Sequence, residues 1–271
     1  MQRRRDRVYR LVIAAFRLLF RAFDVRFDVR GTGNIPADGP AVLACNHVGY
    51  LDFTFVGVAA RRRGRLVRFM AKRSTFDNPV SGPAMRAMGH IPVDRGGPLA
   101  GAPAYRRAIR ALQAGELVGV FPESTISRSW TLRPFKPGAA ALAVREQVPL
   151  VPVVTWGGHR LATTDGHVEP HRHVPVSVWV GLPILPTPEG TVAEVQAALR
   201  AAIASMLDDA QRAYPVDGRG RWWQPLHLDG MAPTREQAAQ IEARVEAARA
   251  QTDGVSVSSS VPSAGSASTL P

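Results

Sequence analysis

The residues best suited to chemistry in this chain are His47 and Asp52, which lie within residues 46–52 (NHVGYLD). Histidine ordinarily titrates near neutral pH, so His47 is a natural general base. An aspartate held against the ring fixes one imidazole tautomer and stabilises its cation. Side chains five positions apart diverge on a regular helix, so His47 must precede a helix whose first turn carries Asp52. On these residues alone, a helix cap beside an ordinary core histidine remains the alternative.

Such a pair needs a strand that ends just before it and a helix that begins just after it. Residues 41–45 (AVLAC) predict a buried strand, and residues 51–62 have a helical pattern. Further strands are predicted at 66–70, 91–93, 117–121, 150–155 and 174–180, and further helices at 79–88, 99–113 and 138–146. This alternation predicts an α/β fold with a mixed, mostly parallel sheet flanked by helices. Sites in such folds lie at the carboxyl ends of the strands.

Residues 1–30 are predicted to form a basic amphipathic helix at a membrane interface. They contain nine arginines and three aspartates. On a helix, Arg7, Arg10, Arg17 and Arg21 fall in one arc, and apolar side chains fill the other side. A wide apolar face beside an arginine face is typical of a helix lying in a lipid interface. The alternative is a helix that docks on the core of its own domain.

The rest of the chain divides into three parts. Residues 31–190 are predicted to form the α/β domain. Residues 191–250 are predicted to be a helical extension, because capping-box sequences begin at Thr191 and Thr234. Residues 251–271 contain seven serines and almost no charge, which predicts a disordered tail.

Composition excludes several classes of protein. The chain has 271 residues, 45% of them hydrophobic, which argues against a wholly disordered protein. A single cysteine excludes an intramolecular disulfide and a four-cysteine zinc site. The apolar stretches are too short for a membrane-spanning helix or a secretory signal. Because the net charge is +12, we expect an anionic partner, either a membrane surface or a nucleic acid.

Three further stretches accompany residues 46–52: 89–95 (GHIPVDR), 120–125 (VFPEST) and 148–153 (VPLVPV). In this order and spacing, the four blocks resemble those of the glycerolipid acyltransferase superfamily, in its 1-acylglycerol-3-phosphate acyltransferase branch. The resemblance extends over residues 30–190 and leaves out the C-terminal helices and the tail.

The resemblance implies a role for each block. His47 would be the catalytic base and Asp52 its partner. Arg95 would contact the acceptor phosphate, a group that suits the fork of a guanidinium, and Glu123 would help to bind the glycerol moiety. Lys72 matches a basic position that can join the phosphate site. Supporting positions are Asn46, Gly89, Pro122, Thr125, Pro149 and Pro152, of which the last two would shape the acyl-chain side.

The third block departs from the family pattern, which usually reads F-P-E-G-T-R-S. Here Ser124 replaces the glycine and Ile126 replaces the arginine. Arg128 or Lys136 would supply the missing positive charge. The departure bears on how the acceptor is bound more than on the chemistry.

The implied activity transfers a fatty acyl group from a thioester to the free hydroxyl of 1-acylglycerol-3-phosphate, giving phosphatidic acid for phospholipid synthesis. The donor would be acyl-coenzyme A or acyl-acyl carrier protein, and no cofactor or metal is expected, because a thioester is already activated. The expected partners are an anionic membrane surface, the lysolipid and the donor, with no nucleic acid. The expected location is the cytoplasmic face of a bacterial plasma membrane, with peripheral or monotopic attachment.

Four alternatives stay open from the sequence. The acceptor could instead be another lysolipid, an amino lipid or a glycolipid. The basic run over residues 61–73 would suit a nucleic-acid-binding protein, although no recognised motif accompanies it. Ser124 as an acyl nucleophile would suggest a hydrolase, but the chain has no G-x-S-x-G sequence. A metal site would draw on His159, His167, His171 and His173, with Asp165 and Glu169.

Overall fold

A computed structural model describes residues 2–94, 100–166 and 172–258 of the chain. The described strands are β1 (Arg26–Arg30), β2 (Ala41–Cys45), β3 (Val67–Lys72), β4 (Ile91–Val93), β5 (Leu117–Val120), β6 (Leu150–Trp156) and β7 (Pro175–Val180). The described helices are α1 (Gln2–Ala22), α2 (Asp52–Arg62), α3 (Arg73–Asp77), α4 (Ser81–Ala87), α5 (Ala102–Gln113), α6 (Gly138–Glu146), α7 (Val192–Arg212) and α8 (Arg235–Ser258).

The strands form one seven-stranded sheet in the order β1-β7-β6-β2-β5-β3-β4. Neighbouring strands run parallel except for the antiparallel pair β6 and β7. The predicted fold class, a mixed and mostly parallel sheet flanked by helices, is therefore confirmed. Because β2 to β6 run in one direction, their carboxyl ends meet at one edge of the sheet, the edge at which α/β proteins place their sites.

The central strands β2 and β6 are buried along their whole length, as expected for parallel strands covered on both faces. Alternate side chains of β2 enter opposite cores. Val42 and Ala44 join α5, α6 and α7 on one face, whereas Leu43 and Cys45 join α2 and Phe20 of α1 on the other. The sheet is thereby covered on both sides, which fixes the position of its carboxyl edge.

The N-terminal prediction is wrong beyond residue 22, because residues 26–30 (RFDVR) form strand β1, which pairs in parallel with β7. Asp24 adopts a left-handed backbone with φ +48°, and this conformation ends the helical path. Beyond it, apolar Phe27 and Val29 alternate with charged residues and pack against the α2 side of the sheet. Apolar residues that alternate with charged ones are typical of a strand. The arginine-rich composition of residues 1–30 made this alternation easy to overlook.

Helix α1 docks on the domain with one face and exposes the rest. Tyr9 and Phe20 are buried, whereas Leu11 and Leu18 are about 70% exposed. The docked face is held by the Tyr9 hydroxyl, which donates to the Val67 carbonyl at 3.0 Å. No helix in the described part of the chain is long and apolar enough to cross a membrane.

The C-terminal end also differs from the sequence-based prediction. Helix α8 continues to Ser258, so residues 251–258, predicted as part of a disordered tail, are helical. The helix begins at a Thr234–Gln237 capping box, in which each residue's backbone N–H donates to the other's side chain. Residues 259–271 lie outside the described residues.

Candidate active site

The site is built around the turn between β2 and α2. Asn46 follows the last residue of β2 and is fully buried. Its amide Nδ2 donates to the Thr155 carbonyl at 3.0 Å, and the Thr155 N–H donates to Asn46 Oδ1 at 2.8 Å. The side chain thus extends the hydrogen bonding between β2 and β6 by one residue beyond the strand, which fixes the point where the turn begins.

The predicted pair is assembled in this turn, with His47 Nδ1 2.9 Å from Asp52 Oδ2. The same oxygen accepts the backbone N–H groups of Val48 at 2.7 Å and Gly49 at 2.8 Å. An ionised carboxylate only accepts hydrogen bonds, so Nδ1 carries the proton and Nε2 is left as the basic nitrogen. The His47 side chain is 20% exposed and that of Asp52 is 0% exposed. A buried carboxylate therefore orients a partly accessible imidazole.

Gly49 lets this turn lie close to the segment that follows β6. A Cβ at this position would come within 2.9 Å of the Ala162 carbonyl oxygen and 3.1 Å of the His159 Cα. Two hydrogen bonds join the turn to this segment. The Tyr50 N–H donates to the Ala162 carbonyl, and the Thr163 hydroxyl donates to the Val48 carbonyl. A larger residue at position 49 would have to push these backbones apart.

Phe121, at the carboxyl end of β5, stacks on the His47 imidazole. The centroids of the Phe121 and His47 rings are 4.3 Å apart, and their planes differ by 23°. This residue belongs to the third sequence block, but sequence reasoning gave it no role. The available signal was an aromatic residue at the carboxyl end of a strand parallel to β2. The contact confines the imidazole to one plane.

Glu123 joins two backbone segments of the site. Its Oε1 accepts the His47 N–H and its Oε2 accepts the Arg133 N–H, each at 2.8 Å. The residue is 4% exposed, and this burial raises the pKa of its carboxyl to about 7, against the opposing effect of the two N–H donors. Glu123 therefore positions the main chain beside His47. Its contact with the glycerol moiety stays a prediction.

Of the residues predicted to bind phosphate, Lys72 lies at the outer end of the carboxyl edge. Lys72 ends β3, is exposed, and lies in register with Val93 of β4. Next to it, Arg73 and Asp94 form a two-pronged ion pair, in which Arg73 Nη2 lies 2.7 Å from Asp94 Oδ2. This pairing lowers the pKa of the Asp94 carboxyl. Arg95 lies outside the described residues.

The third block bends sharply after β5. Ser124 has a left-handed backbone with φ +63°, a conformation that suits the glycine of the family pattern. Ile126, at the position of the family arginine, is buried in the core on the α5–α7 face of the sheet. Thr125 between them is partly buried. The missing arginine is therefore replaced by a core side chain.

The two residues predicted to supply the missing charge are placed differently. Pro122 is buried, and its carbonyl accepts the Lys136 N–H at 2.9 Å, while the Lys136 side chain is exposed. The Arg128 guanidinium is buried, with Nη1 3.7 Å from Oε1 of Glu242 in α8. Arg128 thus faces the C-terminal helix, and a role of either residue in substrate binding stays a prediction.

Three supporting residues lie away from the turn. Gly89 occupies a left-handed turn between α4 and β4, with φ +73°. Pro149 precedes β6, and its carbonyl accepts the Val42 N–H at 2.9 Å. Both lie at the amino ends of their strands and so at the opposite edge of the sheet from His47. Pro152 lies within β6, in register with Ala44.

Two of the histidines considered for a metal site, His159 and His173, lie in the described part of the chain and have different partners. His159 is buried between Trp130 and Trp156, with ring centroids 4.7 Å and 4.4 Å away, and its Nε2 lies 2.9 Å from the Trp223 carbonyl. His173 pairs with Asp24. His167, Glu169 and His171, and the side chain of Asp165, lie outside the described part of the chain. Within that part, no group of three or more His, Cys, Asp or Glu could hold a metal ion.

Arginines of the 61–73 run hold the fold together. Arg65 donates to the carbonyls of Pro36, Gly39 and Gly115. Arg68 is buried and pairs with Asp6 of α1 and with Glu116. The run is thus partly internal, which removes part of the basis for a nucleic-acid-binding surface.

Comparison with known proteins identifies a family and several relatives that this chain resembles. The Acyltransferase family matches residues 26–156, from the start of β1 to the end of β6, and this segment belongs to that family. The resemblance inferred from the four blocks is confirmed. The chain is 36% identical over 124 residues to the 1-acyl-sn-glycerol-3-phosphate acyltransferase of Bacillus subtilis (46% of this chain, 59% of the relative).

A second relative is the chloroplastic 1-acyl-sn-glycerol-3-phosphate acyltransferase BAT2 of Brassica napus, 34% identical over 139 residues (51% of this chain, 39% of the relative). The matches therefore span less than two thirds of these relatives. The fold is similar to that of the crystal structure of the 1-acyl-sn-glycerophosphate (LPA) acyltransferase PlsC from Thermotoga maritima. That match has a TM-score of 0.65 and 22% identity, and it covers 79% of this chain and 83% of the other.

Proposed function

We propose that this protein transfers a fatty acyl group from an acyl thioester to the free hydroxyl of 1-acylglycerol-3-phosphate, giving phosphatidic acid. The observation that carries the proposal is the 2.9 Å contact between His47 Nδ1 and the buried Asp52 carboxylate at the carboxyl edge of the sheet. The acyltransferase-family match over residues 26–156 and the names of the relatives support the same chemistry.

The reaction follows from the orientation of the imidazole. His47 Nε2 accepts the proton of the lysolipid hydroxyl as the hydroxyl oxygen attacks the thioester carbonyl carbon. The carbon–sulfur bond then breaks, and the imidazolium returns the proton to the leaving thiolate. Asp52 stabilises the imidazolium while it exists. General base catalysis of this kind contributes about 10²–10⁴-fold, and holding both substrates in register adds to it.

The donor carrier is either coenzyme A or acyl carrier protein, and neither a metal nor a covalent acyl-enzyme is required. Arg95 and Lys72 bind the acceptor phosphate, with Arg128 or Lys136 as a further cation. The buried Ile126 favours a second candidate, an acceptor without a terminal phosphate, because the family arginine is absent from that position. A panel of acceptors with and without the phosphate distinguishes the two.

We expect Arg95→Ala to reduce kcat/KM for 1-acylglycerol-3-phosphate by roughly 10–200-fold, mainly through KM, because a hydrogen bond to a charged group contributes about 1.5–3 kcal/mol. Arg95→Lys should recover part of the loss, since an ammonium keeps the charge but loses the fork. Acceptors without the phosphate should be nearly insensitive. Initial rates on both acceptor types, beside melting curves, test this. Equal losses on all acceptors with a lowered melting temperature would overturn the phosphate assignment.

For the location, we propose peripheral attachment to the cytoplasmic face of an anionic plasma membrane through α1. Its exposed surface carries an apolar sector next to a cationic one. The apolar sector is Leu11, Leu18 and Leu19, continued by Phe23 just after the helix, and the cationic sector is Arg7, Arg10, Arg17 and Arg21. Apolar side chains flanked by arginines are suited to the boundary between acyl chains and anionic headgroups.

We expect the double variant Leu11→Glu/Leu18→Glu to bind anionic vesicles at least about tenfold more weakly, because burying one leucine contributes about 1.5–3 kcal/mol. Cosedimentation at matched salt measures the change. Leu182→Glu is the matched control, since Leu182 is also exposed (77%) but lies in the segment after β7, outside α1. Deleting α1 is a poorer test, because Tyr9 and Phe20 belong to the cores. Unchanged pelleting of the double variant would place the attachment elsewhere.

A further inference from the structure

The C-terminal segment outside the family match lies against the loop over residues 121–137, which joins β5 to α6. Gln211 Nε2 of α7 donates to the Trp130 carbonyl at 2.9 Å, and Trp130 Nε1 donates to the Trp222 carbonyl at 2.8 Å. Arg200 of α7 donates to the Arg133 carbonyl at 2.6 Å. Two residues of α7 therefore hold the main chain of this loop, and the segment before α8 holds the Trp130 side chain.

Glu242 of α8 adds a charged contact to the same loop. Its Oε1 accepts a hydrogen bond from the Arg133 guanidinium and lies 3.7 Å from that of Arg128. The Glu242 side chain is 14% exposed and that of Arg128 is 10% exposed. Largely buried charges of opposite sign depend on each other, because removing one leaves the other uncompensated. Glu242 therefore constrains two arginines of the loop together.

The loop is in turn bonded to the main chain of the catalytic histidine. The Arg133 N–H donates to one oxygen of Glu123, whose other oxygen accepts the His47 N–H. The Ser127 N–H donates to the His47 carbonyl at 2.8 Å. Both backbone polar groups of His47 are thus bonded to the loop that Glu242 holds. Moving this loop would tilt the imidazole away from its working position.

We propose that Glu242 is a positioning residue for the reaction: through Arg133 and Arg128 it fixes the loop that orients His47. The C-terminal extension then completes the active site of the acyltransferase domain without touching the substrates. The effect on turnover rests on the proposed function, whereas the effect on the loop does not.

The experiment compares three variants of the full chain on vesicles, with acyl-coenzyme A and 1-acylglycerol-3-phosphate as substrates. Glu242→Ala should lower kcat by about tenfold or more, because small displacements of a catalytic group reduce rates by up to about 10²-fold. Glu242→Gln should recover part of kcat, since the amide oxygen can still accept from Arg133. Glu246→Ala, an exposed position one turn further along α8, is the matched control and should behave like wild type.

Hydrogen exchange gives a second readout that does not depend on activity. Glu242→Ala should speed amide exchange in residues 44–52 and 121–137 and leave the other strands protected. Arg133→Ala should speed exchange in the same residues. The double variant should be little worse than Glu242→Ala alone, because Glu242→Ala already removes the contact with Arg133.

Two outcomes would overturn the proposal. One is that Glu242→Ala keeps the wild-type kcat and local exchange. The other is that amide exchange rises evenly over the whole domain and the melting temperature falls, while kcat per folded molecule is unchanged. That result would mean that Glu242 gives only general support to the fold. If wild type itself transfers no acyl group to this acceptor, the proposed function fails, and the exchange pattern alone decides the role of Glu242.

Discussion

Replacing His47 by alanine should reduce kcat for acyl transfer by about 10²–10⁴-fold, the usual contribution of a positioned general base. The reason is geometric: with Nδ1 directed at Asp52 Oδ2, Nε2 is the basic nitrogen of a partly exposed ring. Removing the ring leaves no proton acceptor in that position. Steady-state rates at saturating donor and acceptor measure the effect.

The His47 side chain is also part of the packing, because it stacks on Phe121. The variant should nevertheless remain folded, since Asn46 and Asp52 hold the turn through hydrogen bonds that do not use the imidazole. Melting curves of wild type and His47→Ala provide the control. A folded variant that kept more than about a tenth of the wild-type rate would contradict a base role.

The second large effect is expected for Asp52→Asn, which should lose about 10²–10⁴-fold in kcat with the fold retained. Asparagine is nearly the same size and keeps one oxygen for the Val48 and Gly49 N–H groups. It carries no negative charge to stabilise the imidazolium, and its neutral oxygen accepts the Nδ1 proton more weakly than a carboxylate oxygen does. The pH profile of kcat beside that of wild type shows whether the lost charge is the cause.

Asp52→Ala provides the contrast to this variant. It leaves the Val48 and Gly49 N–H groups without the oxygen that they share, and each buried unsatisfied group costs about 1–3 kcal/mol. The melting temperature of Asp52→Ala should therefore fall together with the rate, whereas that of Asp52→Asn should change little. An active and stable Asp52→Asn enzyme would show that the carboxylate charge is not needed.

The sequence predicted the parts of the fold and the site that depend on local pattern. The strands over 41–45 and 91–93 and the helix over 138–146 have the predicted bounds. The five-residue spacing and the preceding apolar strand indicated a His47–Asp52 pair but left a helix cap as the alternative. The resemblance of the four blocks to the acyltransferase family then favoured the pair. Each of these features is determined by neighbours within one strand or one helical turn.

Features that depend on distant residues were not predictable from the sequence. Glu242 and Arg133 are 109 positions apart, and no local periodicity connects them. The two backbone donors on Glu123 come from separate loops, and a backbone N–H has no sequence signature. The arginine spacing of the preceding turns predicts a helix and outweighs the five alternating residues of β1. Residues 26–30 form a strand because they pair with β7, and this long-range contact has no local sequence pattern.

Acyl transfer itself is best measured by mass spectrometry of the lipid products, with the full chain on anionic vesicles. The donors are acyl-coenzyme A and acyl-acyl carrier protein, and the acceptor is 1-acylglycerol-3-phosphate. Wild type should form phosphatidic acid that contains the donor acyl chain, and His47→Gln should form almost none under the same conditions. Phosphatidic acid formed equally by both proteins, or no acylated lipid from either donor with folded wild type, would contradict acyl transfer by the His47–Asp52 pair.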